Sequence, residues 1–110
     1  MSGAMSRRKG AAAEREVAHL LGLERNARNG KDDGDLKMPD RCRYFVEVKR
    51  RGRAFSQIYA ALDQAHGYRP DKVPVVLARD DRREWLAVVW LGDADWLREA
   101  IREARDEQTV

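Results

Sequence analysis

Apolar positions along this chain recur first at helical spacing, then alternately, then at helical spacing again. Between Ser6 and Leu21, the residues Ala13, Val17, Leu20 and Leu21 mark one face of a helix that Ser6 would cap and Gly22 would end. Residues 23–34 lose that period and carry the turn signals Asn29-Gly30 and Asp33-Gly34. A short strand is expected over Asp35 to Met38, a turn at Pro39-Asp40, and a second strand over Arg43 to Arg50. In the second strand Tyr44, Val46 and Val48 share one face, and Phe45, Glu47 and Lys49 the other, because strand side chains repeat every second residue. Ile58, Leu62 and Ala65 give a helix over Phe55 to His66 its inner face. Val73 to Ala78 reads as a buried strand, Asp80 to Arg83 as a turn, and Glu84 to Trp90 as the hairpin partner. A last helix, capped by Asp93 or Asp95 and running to about Arg105, presents Trp96, Leu97 and Ile101. The order predicts a mixed α/β fold around one sheet.

Length adds that 110 residues make one domain, 1–110, with residues 1–5 expected to be disordered. At 43% apolar and 37% charged residues, the chain has enough for a small core under a heavily charged surface, so dimerisation is a natural expectation. No stretch is long and apolar enough for a membrane span or a signal peptide, which predicts a protein without membrane contact. A single cysteine, Cys42, excludes an internal disulfide and a multi-cysteine zinc site, and points to a reducing, cytoplasmic setting. Charge changes the picture more. The net charge is +3, but residues 1–60 hold 14 Lys/Arg against 8 Asp/Glu, while residues 61–110 hold 8 against 11. The excess sits in Arg7-Arg8-Lys9, in Arg25 to Lys31, and in Lys49-Arg50-Arg51-Gly52-Arg53. Such clusters fit phosphate binding, and equally a solvated arginine-rich surface.

The candidate chemistry is Asp35 followed twelve residues later by Glu47-Val48-Lys49. A divalent cation assisting phosphodiester hydrolysis needs hard oxygen ligands, usually carboxylates with waters and a phosphate oxygen. Asp35 and Glu47 on adjacent strands can converge on one ion, with the Val48 carbonyl between them as a backbone ligand. Lys49 faces the same way as Glu47, where an ammonium can orient the attacking water or neutralise charge on the phosphate. A Glu-x-Lys triplet is itself common, roughly 0.4 expected by chance in this composition, and a solvent-facing ion pair on one strand face fits the same residues.

Three segments occur in order: Lys9-Gly-Ala-Ala-Ala-Glu-Arg-Glu-Val17, Gly34-Asp-Leu36 and Phe45-Val-Glu-Val-Lys49. Together they resemble the archaeal-type Holliday junction resolvases and related phage endonucleases of the PD-(D/E)XK superfamily, over about residues 7–78. The resemblance implies a restriction-endonuclease-like core, a central mixed sheet flanked by helices. It places an acidic active-site residue on Glu14, the metal-binding acids on Asp35 and Glu47, and the catalytic lysine on Lys49. Gly34-Asp35 stands where the family has proline-aspartate, and the chain after about Asp80 departs from the resolvases. The implied activity is Mg²⁺-dependent (or Mn²⁺-dependent) hydrolysis of DNA at branched substrates, above all four-way junctions, in recombination or repair, by a homodimer in a bacterial, archaeal or phage-infected cell.

In that setting Arg7, Arg8 and Lys9 at the start of the first helix, Arg28 and Lys31 in the loop before Asp35, and Arg50, Arg51 and Arg53 after the lysine strand become candidate DNA contacts. No base-reading motif is visible, so phosphate and shape recognition is expected. Gln64 and Tyr68 match a Gln-x-x-x-Tyr pattern of the wider superfamily, but Gly67 would end the helix there, and Gln57 is a further rim candidate. His19 and His66 lack partners at ligand spacing and Cys42 falls in a turn, so none of the three is read as catalytic. Trp85 and Trp90 read as packing residues, and Trp96 as core or subunit contact. The rival readings are a nicking or repair nuclease on other DNA structures, and a non-catalytic DNA-binding subunit of the same fold.

Overall fold

The computed structural model describes residues 3–26 and 35–108, with side chains described from Lys9 to Glu107. The turn signals at Asn29-Gly30 and Asp33-Gly34 lie outside the described residues. The fold is mixed α/β: helices α1 (Gly3–Leu21), α2 (Ser56–Tyr68) and α3 (Asp95–Gln108), with strands β1 (Val76–Ala78) and β2 (Leu86–Val88) and a single 3₁₀ turn over Leu91–Asp93. The chain divides into two compact units, one of residues 1–50 and 96–110, the other of residues 51–95.

In the first unit, α1 begins at Gly3, so Ser6 lies inside the helix rather than capping it. Ala4 and Met5 are strong helix formers with no proline to stop them, and they extend the first turn backwards. The helix ends as expected at Gly22, whose φ of 67° an L-residue rarely adopts. There the Leu23 N–H donates to the Ala18 carbonyl at 2.8 Å and the Gly22 N–H to the His19 carbonyl at 3.3 Å, a Schellman closure. The Arg105 guanidinium from α3 donates to the Gly22 carbonyl at 2.8 Å. The buried face of α1 is Ala13, Ala18 and Leu21, with Val17 half-buried, whereas Leu20 is 51% exposed and leaves the predicted set. At about 100° per residue, Leu20 falls just outside the arc that Ala13, Val17, Leu21 and Ala18 span.

After α1 the chain turns back. The Arg25–Leu36 bridge is antiparallel, flanked by Asn26 N–H to the Asp35 carbonyl at 3.0 Å and Lys37 N–H to the Glu24 carbonyl at 2.8 Å. The expected strand over Asp35 to Met38 is therefore reduced to one bridge, though its centre is secure: Leu36 is fully buried, which contributes about 1.5–3 kcal/mol. The turn at Pro39 is closed by the Cys42 N–H on the Pro39 carbonyl at 3.0 Å. Over residues 43–50 no ladder forms, so the predicted strand is not part of a sheet. Its alternation survives: Tyr44, Val46 and Val48 are half-buried while Phe45, Glu47 and Lys49 are exposed. Tyr44 meets Trp96 of α3 edge-on at 5.2 Å between centroids, and Arg41 pairs with Glu107 at 3.7 Å. Ile101 and Ala104 are the buried residues of α3, as its spacing predicts for Ile101.

In the second unit, α2 buries Leu62 with Ile58 and Ala65 half-buried, and it packs on β1. Gly67 does not end α2, because it keeps a negative φ; the helix continues to Tyr68 and stops at Arg69, the residue before Pro70. β1 and β2 pair antiparallel with Leu77 opposite Ala87. The ladder starts only at Val76, since Pro74 has no N–H to donate. The expected burial of Val73 to Ala78 fails on one face: Val73, Val75 and Leu77 are exposed, while Pro74 is buried and Val76 and Ala78 half-buried. Trp85 is exposed with the Arg79 guanidinium 4.9 Å from its ring centroid, whereas Trp90 is half-buried against Tyr59 at 5.5 Å. The predicted four-strand sheet thus contracts to one hairpin among the described residues.

Candidate functional site

Four of the residues singled out by sequence, Glu14, Asp35, Glu47 and Lys49, fall in the first unit, together with Val48. Asp35 is half-buried at the bend before Leu36, whose burial fixes the backbone beneath it. Its Oδ2 accepts the Val48 N–H at 2.8 Å, so the carboxylate stands beside the Glu47-Val48-Lys49 segment across thirteen residues of chain. In an extended segment the N–H and C=O of one residue point to the same side. With Val48 extended, as the alternating burial of Tyr44 to Lys49 fits, its carbonyl would face the side on which Asp35 lies. Glu47 and Lys49 project together from the exposed face, with Lys49 Nζ 3.7 Å from Glu47 Oε2.

Glu14 occupies an unusual place for an acid. It lies about 100° around α1 from Ala13, between the buried Leu21 and Ala18, within the packed stripe of the helix. A carboxylate there needs a partner. Arg25 provides it, with Nε donating to Glu14 Oε1 at 2.7 Å. By sequence Arg25 belongs only to the basic cluster Arg25 to Lys31, and nothing there marks it as the partner of an acid. The signal that could have identified it was Glu14's own position on the apolar stripe, which calls for a buried or half-buried cation nearby.

The donor chemistry of Asp35, Glu47 and the Val48 carbonyl suits a hard divalent cation, which takes oxygen ligands and retains several waters. One carboxylate is already oriented by a backbone amide, as ligating carboxylates commonly are. Among the described residues no three His, Cys, Asp or Glu side chains converge as a ready metal cage. The protein would thus supply two carboxylates and one carbonyl. A surface cleft of about 470 Å³ in the same unit is lined by residues including Lys37, Arg43, Tyr44 and Phe45, and by none of the candidate acids.

The basic candidates separate by location. Arg7 and Arg8 lie in the second turn of α1, because the helix starts at Gly3, and Lys9 is exposed there. They are thereby removed from the helix N-terminus, and the dipole contribution expected for them falls away within the first turn. Arg28 and Lys31 lie outside the described residues. Arg50 ends the first unit, while Arg51 and Arg53 open the second, and all three are exposed. Gln57, Gln64 and Tyr68 are exposed on α2 in the second unit. No helix among the described residues is long and apolar enough to cross a membrane. Comparison with protein-family models, with curated proteins and with solved structures finds no match to this chain.

Proposed function

We propose that this protein is a divalent-metal-dependent DNA endonuclease of restriction-endonuclease-like fold, acting on branched DNA, foremost the four-way junction. The observation that carries the reading is the 2.8 Å bond from the Val48 amide to Asp35, which puts an oriented carboxylate against the Glu47-Val48-Lys49 segment. The resemblance to junction resolvases supplies the substrate class. Asp35, Glu47 and the Val48 carbonyl would hold Mg²⁺ or Mn²⁺, which supplies Lewis-acid stabilisation of charge on the phosphate. In the hydrolysis, a water oxygen bonds to phosphorus, the ester P–O bond to the leaving sugar oxygen breaks, and a proton passes from the water to that oxygen. Lys49 places its ammonium beside the phosphate, where it orients the water and offsets developing charge. Glu14 orients water at the same centre. Arg50, Arg51 and Arg53 contribute phosphate contacts, as do the cations of α1 and of residues 28–31. A two-fold dimer supplies two equivalent sites for the two strands that a resolvase must cut.

The exposed Glu47–Lys49 pair is also what a non-catalytic DNA-binding surface would display. One panel decides: labelled four-way junction, flap and linear duplex, each incubated with the purified protein and Mg²⁺. Paired symmetrical nicks confined to the junction are expected. Nicks in flap or duplex instead identify a nicking or repair nuclease, and binding without cleavage under any cation identifies the non-catalytic subunit. Light scattering with and without junction DNA tests the dimer; a monomer near 12.7 kDa in both conditions removes the resolvase reading.

A further inference from the structure

The geometry points to Arg25 as the positioning residue for Glu14, the side chain that fixes the direction of this acid's carboxylate; the inference rests on the hydrolase reading above. The Nε to Oε1 distance of 2.7 Å lies in the charge-assisted range. Both side chains are largely withdrawn from solvent, Arg25 at 27% exposure and Glu14 at 20%, so the pair is less screened than the exposed pairs Glu24–Lys37, Arg41–Glu107, Glu47–Lys49 and Arg69–Asp71. Arg25 is itself held. Its backbone bridges to Leu36, the fully buried residue next to Asp35, and the Asn26 N–H reaches the Asp35 carbonyl at 3.0 Å. Arg25 thereby meets the acid on α1 through its side chain and, through its backbone bridge, the residue next to the acid in front of Val48.

The local sequence makes this connection possible. The left-handed Gly22 reverses the chain after α1, so that Arg25 returns alongside the helix it has just left. The pairing favours arginine over lysine, because the planar guanidinium directs its Nε–H along a fixed line, whereas an ammonium is a point charge on a flexible stem. Without Arg25, Glu14 would keep its place in the helix and lose the direction of its carboxylate.

The test uses full-length protein and a junction substrate. Arg25→Ala is expected to lower turnover by about 10–100-fold with little change in KM, as removal of an orienting partner does. Arg25→Lys should recover only part of that loss. In a Glu14→Gln background, Arg25→Ala should reduce turnover no further, since its effect runs through Glu14. Independently of cleavage, the Arg25 Nε–H resonance should shift on Glu14→Gln. A raised KM with intact turnover would make Arg25 a phosphate contact, and full rescue by lysine would reduce its role to charge. Either result overturns the positioning role, as does an unmoved Nε–H resonance. A wild-type protein that cuts no DNA while the resonance does shift overturns the hydrolase reading and leaves the ion pair standing.

Discussion

Replacing Asp35 separates the hydrogen bond that the structure shows from the cation-binding job that the proposed chemistry adds to the same side chain. Its Oδ2 accepts the Val48 N–H at 2.8 Å in a half-buried setting, and its charge is what a cation would require. A hydrogen bond to an ionised acceptor contributes about 1.5–3 kcal/mol, and the lower end applies here because solvent can partly re-satisfy the freed amide. Asp35→Ala should therefore lower unfolding free energy by about 1.5 kcal/mol, roughly a tenfold change in the folded-to-unfolded ratio. Asp35→Asn keeps an oxygen for the Val48 amide and removes only the charge. It should cost less than about half as much in stability, yet eliminate cation-dependent cleavage as completely as alanine does. Urea unfolding followed by tryptophan fluorescence, with all three tryptophans present, measures the first effect; single-turnover cleavage measures the second. Equal stability of wild type and Asp35→Ala would refute the structural role. Full cleavage by Asp35→Asn would refute the chemical one.

Gly22→Ala should destabilise the chain by about 1–2 kcal/mol, because the left-handed φ is costly for alanine. Arg105 at 3.7 Å from the added Cβ makes only ordinary contact, so a stability loss well above that range in urea unfolding would refute backbone strain as the cause. Arg69 donates to Asp71 through two nitrogens, at 3.0 and 2.7 Å, and this holds the Asp71 carboxyl below its ordinary value, helped by its own backbone. Because its pKa falls on folding, the pair favours the folded state above the normal aspartate range and is lost as pH falls through the lowered value. Carbon-detected NMR should show Asp71 titrating low, and Arg69→Ala should raise its midpoint. DNA affinity should fall steeply with salt, and replacing Arg50, Arg51 and Arg53 together by Ala should reduce the log–log slope by up to about 2.7; an unchanged slope places the phosphate contacts elsewhere.

Much of the helical architecture is visible in the sequence because its signals are local. Gly22 ends α1 where a left-handed residue is needed, Ile101 is buried where its spacing places it, and Leu62 anchors α2. The misreadings have equally local causes. Pro70, rather than Gly67, stops α2, and Pro74 shortens β1 by denying it a donor. Sheet pairing is not local, and there the sequence says less. The alternation of Tyr44 to Lys49 is present in burial without a ladder, and the apolar run Val73 to Leu77 looks buried by composition yet leaves one face to solvent. At the candidate site, Asp35 is found beside Glu47-Val48-Lys49 as its spacing suggests. Arg25 is not legible by spacing, since it reaches Glu14 only after the chain has reversed at Gly22.

The most direct test of the central claim is single-turnover cleavage of a labelled four-way junction by wild type, Asp35→Asn and Glu47→Gln, in Mg²⁺ and in excess chelator. The account predicts cleavage by wild type in Mg²⁺ alone, loss of cleavage in both variants, and junction affinity retained by all three. Cleavage that persists in chelator, or in either variant at the wild-type rate, would contradict it.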